Sequence, residues 1–238
     1  MKITLISTAT FPSDQGIRTI SAVLKKAGYE VRIIFLAYSE DYSQFYPLSV
    51  LNQISELSKD SDLIGINSFA STAPRAIQVI NKLKPLNKPL VWGGIHATIS
   101  PEKCIEHCDI VCVGEGEETI VELAKAIETW QSSDSKKSEP AIQKIKNLWI
   151  KDNKTEKIIK NPVRDLIDNL DSLPPVDYEI ETHYILDKNK IRKFKESDLN
   201  GEIFFLTGRG CPYGCHYCSN DLLNKLYEGK RKKILRWH

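Results

Sequence analysis

The sequence predicts an α/β fold: a doubly wound sheet of five parallel strands, then a hairpin and linker, then the opening of a second domain. Three observations predict it. Apolar runs of five to seven residues alternate with amphipathic segments as far as Trp130. Each run leads into a helical pattern, as in parallel strands buried on both faces. After Trp130 the composition turns polar, becomes strand-like again, and reaches TGRGCPYGCHYC, with three cysteines in eight positions.

KITLI (2–6) reads as the first strand. TISAVLKKAG (19–28) reads as a helix, with Ile20, Val23, Leu24 and Ala27 on one face and Gly28 as its stop. EVRIIFL (30–36) and LSVLNQISELSK (48–59) repeat the pair. DLIGIN (62–67) is followed by PRAIQVINKLK (74–84), which carries Pro74 in its first turn. PLVWGG (89–94) precedes a short helix, PEKCIEH (101–107). DIVCVG (109–114) leads into EETIVELAKAIETW (117–130), a helix with an acidic first turn. In such sheets ligands sit beyond the carboxyl ends of the strands, here the loops 7–18, 68–73, 94–100 and 114–117.

Residues 1–130 thus form the first expected domain, and 131–200 a connecting region. Within it QSSDSKKSEP (131–140) reads as a flexible polar loop, and 147–160 as a hairpin around Asp152-Asn153. Residues 161–181, with three prolines, read as an extended connector. The last part, 201–238, opens with GEIFFLTGRG (201–210), read as a buried strand that runs into the cysteines, and continues into a helix over 217–229.

With 33 basic and 31 acidic residues, the net charge of +2 gives no global field for nucleic acid or a membrane surface. The start lacks the apolar core and cleavage site of a signal peptide. No apolar run approaches the roughly 18–20 residues of a membrane helix. The expectation is a cytoplasmic, reduced protein whose six cysteines are ligands or core residues.

Cys211, Cys215 and Cys218 form C-x-x-x-C-x-x-C. Three thiolates on one tight loop can hold three irons of a 4Fe-4S cubane and leave the fourth open. Gly208, Gly210, Pro212 and Gly214 let the backbone wrap closely. The alternative is a structural zinc site, which takes four protein ligands. His216 is a poor fourth because it is adjacent to Cys215. Cys104, Cys108 and Cys112 recur every four residues beside His107, but Cys112 lies in an apolar strand, so these are read as core. The basic run GKRKKILR (229–236) reads as the solvated side of a helix end.

At C-x-x-x-C-aromatic-C, with Tyr217 as the aromatic and Thr207-Gly208-Arg209-Gly210 leading in, the chain resembles the radical S-adenosylmethionine superfamily. Gly208 stands where one branch has serine. The resemblance implies the start of a partial (β/α) barrel and a 4Fe-4S cluster that binds S-adenosylmethionine. One electron would then cleave the sulfonium to a 5′-deoxyadenosyl radical, with Tyr217 near the adenine. It also implies a reductant partner such as flavodoxin or ferredoxin.

VWGGIHATISPE (91–102) and VGEGEETIVELAKAI (113–127) resemble the flavodoxin-like cobalamin-binding domain that precedes the barrel in many such enzymes. The resemblance implies cobalamin contacts from Ser68, Ser71, Thr72, Gly93, Gly94, His96, Gly114, Glu115, Gly116 and Glu117. Taken singly, Gly93-Gly94 is an ordinary turn, Glu117 a first-turn helix acid and His96 a loop hydrogen-bonder. Other cobalamin carriers place a cobalt-ligating histidine after the first strand. Here STATFPSDQGIRT (7–19) has none, so the displaced benzimidazole is expected along the sheet edge, with Gly16 close to the corrin.

Only twenty residues follow Cys218, whereas a (β/α) barrel takes on the order of 250. The expectation is the front part of a longer enzyme, most often a methyltransferase acting on an unactivated carbon, which alone would bind cobalamin without turning over S-adenosylmethionine. The other function class is a cobalamin-binding or regulatory module whose cysteines hold a cluster or zinc without catalysis.

Overall fold

The computed structural model describes residues 1–132, 142–152, 155–199, 201, 203–229 and 235–238. Its centre is the expected set of five parallel strands: β1 (Lys2–Ser7), β2 (Glu30–Phe35), β3 (Leu63–Asn67), β4 (Leu90–Gly93) and β5 (Ile110–Cys112). Their spatial order is β2-β1-β3-β4-β5. Order reverses between β1 and β3, which makes the carboxyl ends there the natural ligand crevice.

Helices cover both faces. Along β1, Ile3 and Leu5 point to one side and Ile6 to the other, and the neighbouring strands alternate in step. The first side is covered by α1 (Gln15–Lys26) and α6 (Glu117–Ser132), through Ile17, Leu24, Leu123 and Ile127. The second is covered by α2 (Leu48–Ser58), α3 (Ala73–Leu83), α4 (Ile95–Ile99) and α5 (Pro101–Ile105). Fully burying each such Leu or Ile contributes about 1.5–3 kcal/mol. Helix α1 begins four residues before the expected start because Asp14 caps it, accepting from the Ile17 amide.

The sheet is larger than five strands. The expected hairpin forms from β6 (Leu148–Lys151) and β7 (Ile158–Lys160), with β6 antiparallel to β5. A second hairpin, β8 (Tyr184–Asp187) and β9 (Lys190–Lys193), adds β8 parallel to β2. The full order is β7-β6-β5-β4-β3-β1-β2-β8-β9. The proline-containing connector lies against this body. Arg18 is fully buried and donates to the Asp177 carbonyl at 2.7 Å, with Phe35 and Tyr178 within 4.6 Å of its guanidinium. The Asp177 carboxylate meets Lys25 Nζ at 2.8 Å and His183 Nε2 at 3.2 Å. Burial alone would raise the Asp177 pKa, but His183, Lys25 and Ser21 outweigh it and hold the group well below the carboxylate range.

The run GEIFFLTGRG corrects one expectation. Residues 203–206 are not a buried strand: Phe205 is 80% exposed, and no strand pairs with them among the described residues. An apolar run becomes a buried strand only where neighbours take up its backbone groups and side chains. Only Gly208–Arg209 is extended (β10), antiparallel to β11 (Arg236–Trp237). Helix α7 (Ser219–Leu226) follows the cysteines as expected. Of the polar loop, residues 133–140 lie outside the described residues, as do Asn153 of the hairpin turn and 230–234 of the basic run. No described helix is long and apolar enough to cross a membrane.

Candidate functional site

The carboxyl ends of β1, β3 and β4 are joined by polar side chains. Asp14, after β1, accepts from Ser7 Oγ at 2.7 Å and from Asn67 Nδ2 at 2.6 Å. Asn67 in turn lies against Gly94. A Cβ at Gly94 would come within 1.8 Å of Asn67 Oδ1, and its φ of +91° is one that side chains rarely adopt. Thr98 ties the next turn in: its Oγ1 donates to the Gly94 carbonyl at 2.9 Å and accepts from the Gly114 amide at 3.1 Å. Gly114, at φ +92°, has Tyr227 Oη only 2.3 Å from where its Cβ would be.

These turns frame a cavity of about 370 Å³. It runs down the α1/α6 face, where Leu5, Val91 and Cys112 make an apolar wall and Ile17 and Ile20 close it. Space is kept by missing side chains. A Cβ at Gly65 would come within 2.8 Å of Leu5 Cδ2, and one at Gly116 within 3.3 Å of Ile20 Cδ1. The rim includes Gly93-Gly94 and Gly114-Glu115-Gly116-Glu117. Arg209, Gly210, Tyr227 and Arg236 also line the cavity, packed against the second of these turns, so the segment that carries the cysteines contributes to its wall. An apolar cavity with a bare glycine rim lets a ligand come close to the backbone.

The rim carries a withdrawn charge network. Glu115 Oε1 meets Arg236 Nη2 at 2.7 Å and Arg209 Nη1 at 3.3 Å. Its Oε2 accepts from Arg236 Nη1 at 3.0 Å and from the Ile167 amide at 2.9 Å. Arg209 Nη1 also lies 2.6 Å from Glu117 Oε1. Burial would raise the Glu115 pKa, but the Arg236 hydrogen bonds, the Ile167 amide and Arg209 hold it below the ordinary value. Conversely, burial would lower the Arg209 pKa, and Glu117 and Glu115 raise it. Tyr227 Oη accepts from the Glu115 amide at 2.9 Å, and burial pushes its pKa up to about 12.

The expected site residues divide. Gly93, Gly94, Gly114, Glu115, Gly116 and Glu117 come together on the cavity, and Gly16 joins them. Ser68, Ser71, Thr72, His96 and Tyr217 do not line it. Ser68 is buried and accepts from Trp92 Nε1 at 3.0 Å; Thr72 is buried beneath its loop, bonded to Thr8 and Phe69. Ser71 is exposed and Tyr217 is 93% exposed. His96 packs its ring on Trp92, and its pKa is lowered, first by burial and then by Lys103.

Cys211, Cys215 and Cys218 are half-buried free thiols on one loop, with the Cys218 amide donating to the Cys215 carbonyl at 2.9 Å. Among the described residues, no three His, Cys, Asp or Glu side chains stand gathered around a metal position. The donor set still suits an iron–sulfur cluster with one open iron: three thiols within one short loop. Gly208 is explained by packing, since a Cβ there would lie 2.6 Å from the Arg236 carbonyl oxygen. Cys104, Cys108 and Cys112 are buried free thiols, and burial pushes each pKa up to about 12, as the core reading expects.

Sequence reasoning missed Asn67, Asp14, Tyr227 and Arg236. Asp14 carried a usable signal, a helix-capping residue ahead of an amphipathic run. The other three reach the site only through tertiary placement.

Relatives among curated proteins include an uncharacterised methyltransferase of Pyrococcus horikoshii, 34% identical over 68% of this chain and 32% of its own. The bacteriochlorophyllide d C-8(2)-methyltransferase of Chlorobaculum tepidum is 24% identical over 74% of this chain and 32% of its own. The anaerobic magnesium-protoporphyrin IX monomethyl ester cyclase of Cereibacter sphaeroides is 28% identical over 84% of this chain and 30% of its own. The chain thus spans about a third of the length of these relatives. Residues 1–124, more than half the chain, match the B12 binding domain, and the protein with its glycine-rimmed cavity belongs to that family.

Proposed function

We propose that this chain is the front part of a cobalamin-dependent radical S-adenosylmethionine enzyme, a methyltransferase acting on an unactivated carbon. The observation that carries this reading is the shared cavity. Its rim is made by the two glycine turns of the B12-binding domain, and part of its wall by Arg209, Gly210 and α7, which flank the cysteine loop. A second cofactor beside a cluster is useful only if both reach one substrate, and the shared wall supports that arrangement.

In this reading the apolar slot between Leu5, Val91 and Ile20 takes the displaced benzimidazole, and Gly93-Gly94 lets the nucleotide tail pass close to the backbone. Cys211, Cys215 and Cys218 would hold the 4Fe-4S cluster, and the exposed Tyr217 would be the residue offered to the adenine of S-adenosylmethionine. When bound, the cluster supplies one electron to the sulfonium, and cobalamin supplies a carrier for the methyl group. The protein residues position both, and the walls of the cavity keep water from the buried base. The proposed setting is the cytoplasm, with flavodoxin or ferredoxin as the reductant.

The test is anaerobic reconstitution of the whole chain with iron and sulfide, followed by hydroxocobalamin and desalting. The expected product shows broad visible iron–sulfur absorbance and keeps cobalamin; Cys218→Ser loses the first and keeps the second. A colourless protein with stoichiometric zinc would overturn the radical reading in favour of a binding or regulatory module.

A further inference from the structure

Three separate parts of the chain converge on one carboxylate. Glu115 sits between Gly114 and Gly116, both on the cavity wall. It accepts from Arg236 of β11, from Arg209 of β10 and from the Ile167 amide of the connector. Arg209 is bonded in the same way to Glu117, at the start of α6. The side chains are largely withdrawn from water: Glu117 and Arg236 are each 7% exposed, Glu115 16% and Arg209 22%. In sequence Arg209 is followed by Gly210, also on the cavity wall, and then by Cys211. One guanidinium therefore bridges the turn that shapes the cavity and the loop that carries the cysteines. A planar arginine can bridge two carboxylates in a fixed geometry, which a lysine cannot do.

We propose that Arg209, held by Glu115 and Glu117, is a positioning residue that couples cobalamin binding to cluster assembly, so that each cofactor tightens the other. The inference rests on the functional reading above and adds a direction to it. Cluster assembly fixes the loop containing Cys211, and through Arg209 fixes the Glu115 turn that walls the cavity. Cobalamin then meets a wall already ordered, and the ordering cost is not incurred twice. Binding linkage is reciprocal, so cobalamin must retain the cluster by the same factor.

The experiment titrates hydroxocobalamin into the whole chain, once with the cluster reconstituted and once with iron withheld and thiols reduced. In the wild type, the dissociation constant is expected to fall at least about fivefold when the cluster is present. Arg209→Gln and Arg209→Lys are each compared with themselves, with and without the cluster, and are expected to lose most of that ratio whatever their affinity for hydroxocobalamin alone. Arg209→Lys keeps a positive charge beside Glu117 and guards against a glutamine variant that fails to fold. The iron retained at equilibrium against a graded series of chelator concentrations, with and without hydroxocobalamin, reads the same linkage from the other side. A wild-type ratio of one overturns the coupling and leaves the functional reading standing. An undiminished ratio in both variants overturns the role of Arg209. Failure of the wild type to bind hydroxocobalamin at all brings down both.

Discussion

Gly94→Ala tests how the glycine rim is built. The new Cβ would meet Asn67 Oδ1 at 1.8 Å and Cγ at 3.0 Å, so Asn67 must turn away. Turning breaks its 2.6 Å bond to Asp14, a hydrogen bond to a charged group in a half-buried setting. That loss costs about 1.5–3 kcal/mol. Holding alanine at φ +91° and ψ −172°, a region essentially reserved for glycine, adds about 1–3 kcal/mol. The sum is about 2.5–6 kcal/mol, which for a chain of this size lowers the melting temperature by about 5–24 °C. Thermal unfolding followed by circular dichroism measures it, and a hydroxocobalamin titration should show weakened retention. Gly93→Ala is the comparison: its Cβ would meet only Cys112 Cβ at 3.7 Å, an ordinary contact. It should therefore melt near the wild type while narrowing the cavity. If Gly94→Ala melts within about 1 °C of the wild type, the coupling between Asn67, Asp14 and the rim is refuted.

Two further outcomes follow from the burial of charges and thiols. Asp177 has a pKa depressed by folding, so its stabilisation is fully present above the unfolded carboxylate value of about 3.9. It is lost as pH falls below that. Asp177→Asn should cost about 3 kcal/mol at neutral pH, because the fully buried His183 loses its carboxylate partner and Lys25 keeps only Glu179 as an ion pair. It should also flatten the acid side of a urea-unfolding series; an unchanged slope below about pH 4 would remove Asp177 from the account. A thiol reagent added to metal-free protein should label Cys211, Cys215 and Cys218 readily. It should reach Cys104, Cys108 and Cys112 only in denaturant, since burial leaves almost no thiolate there. Rapid labelling of all six in native protein would contradict their place in the core.

The five parallel strands were legible because each is buried on both faces and so reads as an unbroken apolar run, IIF or LIGI, bounded by turns. The hairpin β8–β9 was not. Its sequence, YILDKNKIRK, alternates with charge, because one side of it faces water at the edge of the sheet. Helix α4 was missed because five residues carry too little periodicity to register. The opposite error was IFFL, where composition favours a strand but no neighbour among the described residues supplies the pairing. At the site, the glycines that rim the cavity were visible because they stand at the ends of β4 and β5. Ser68 and Thr72 looked equally available as loop hydroxyls, yet both are taken by internal hydrogen bonds that only the folded chain reveals. Arg236 and Tyr227 lie more than a hundred residues from Glu115 in sequence, and nothing local marks them as its partners.

The two flanking hairpins also determine how this protein can be dissected. Without them β2 and β5 would be the outermost strands, each an apolar ribbon with a free row of amide and carbonyl groups. Such edges invite pairing with a second molecule. In the intact chain the outer positions fall instead to short strands bearing lysine or arginine: Lys160 on one side, Lys190, Arg192 and Lys193 on the other. A fragment trimmed after α6 would keep every residue of the parallel core and lose both of these guards. Its failure would show as insolubility, and that result would say nothing about whether the core can fold or hold its cofactor.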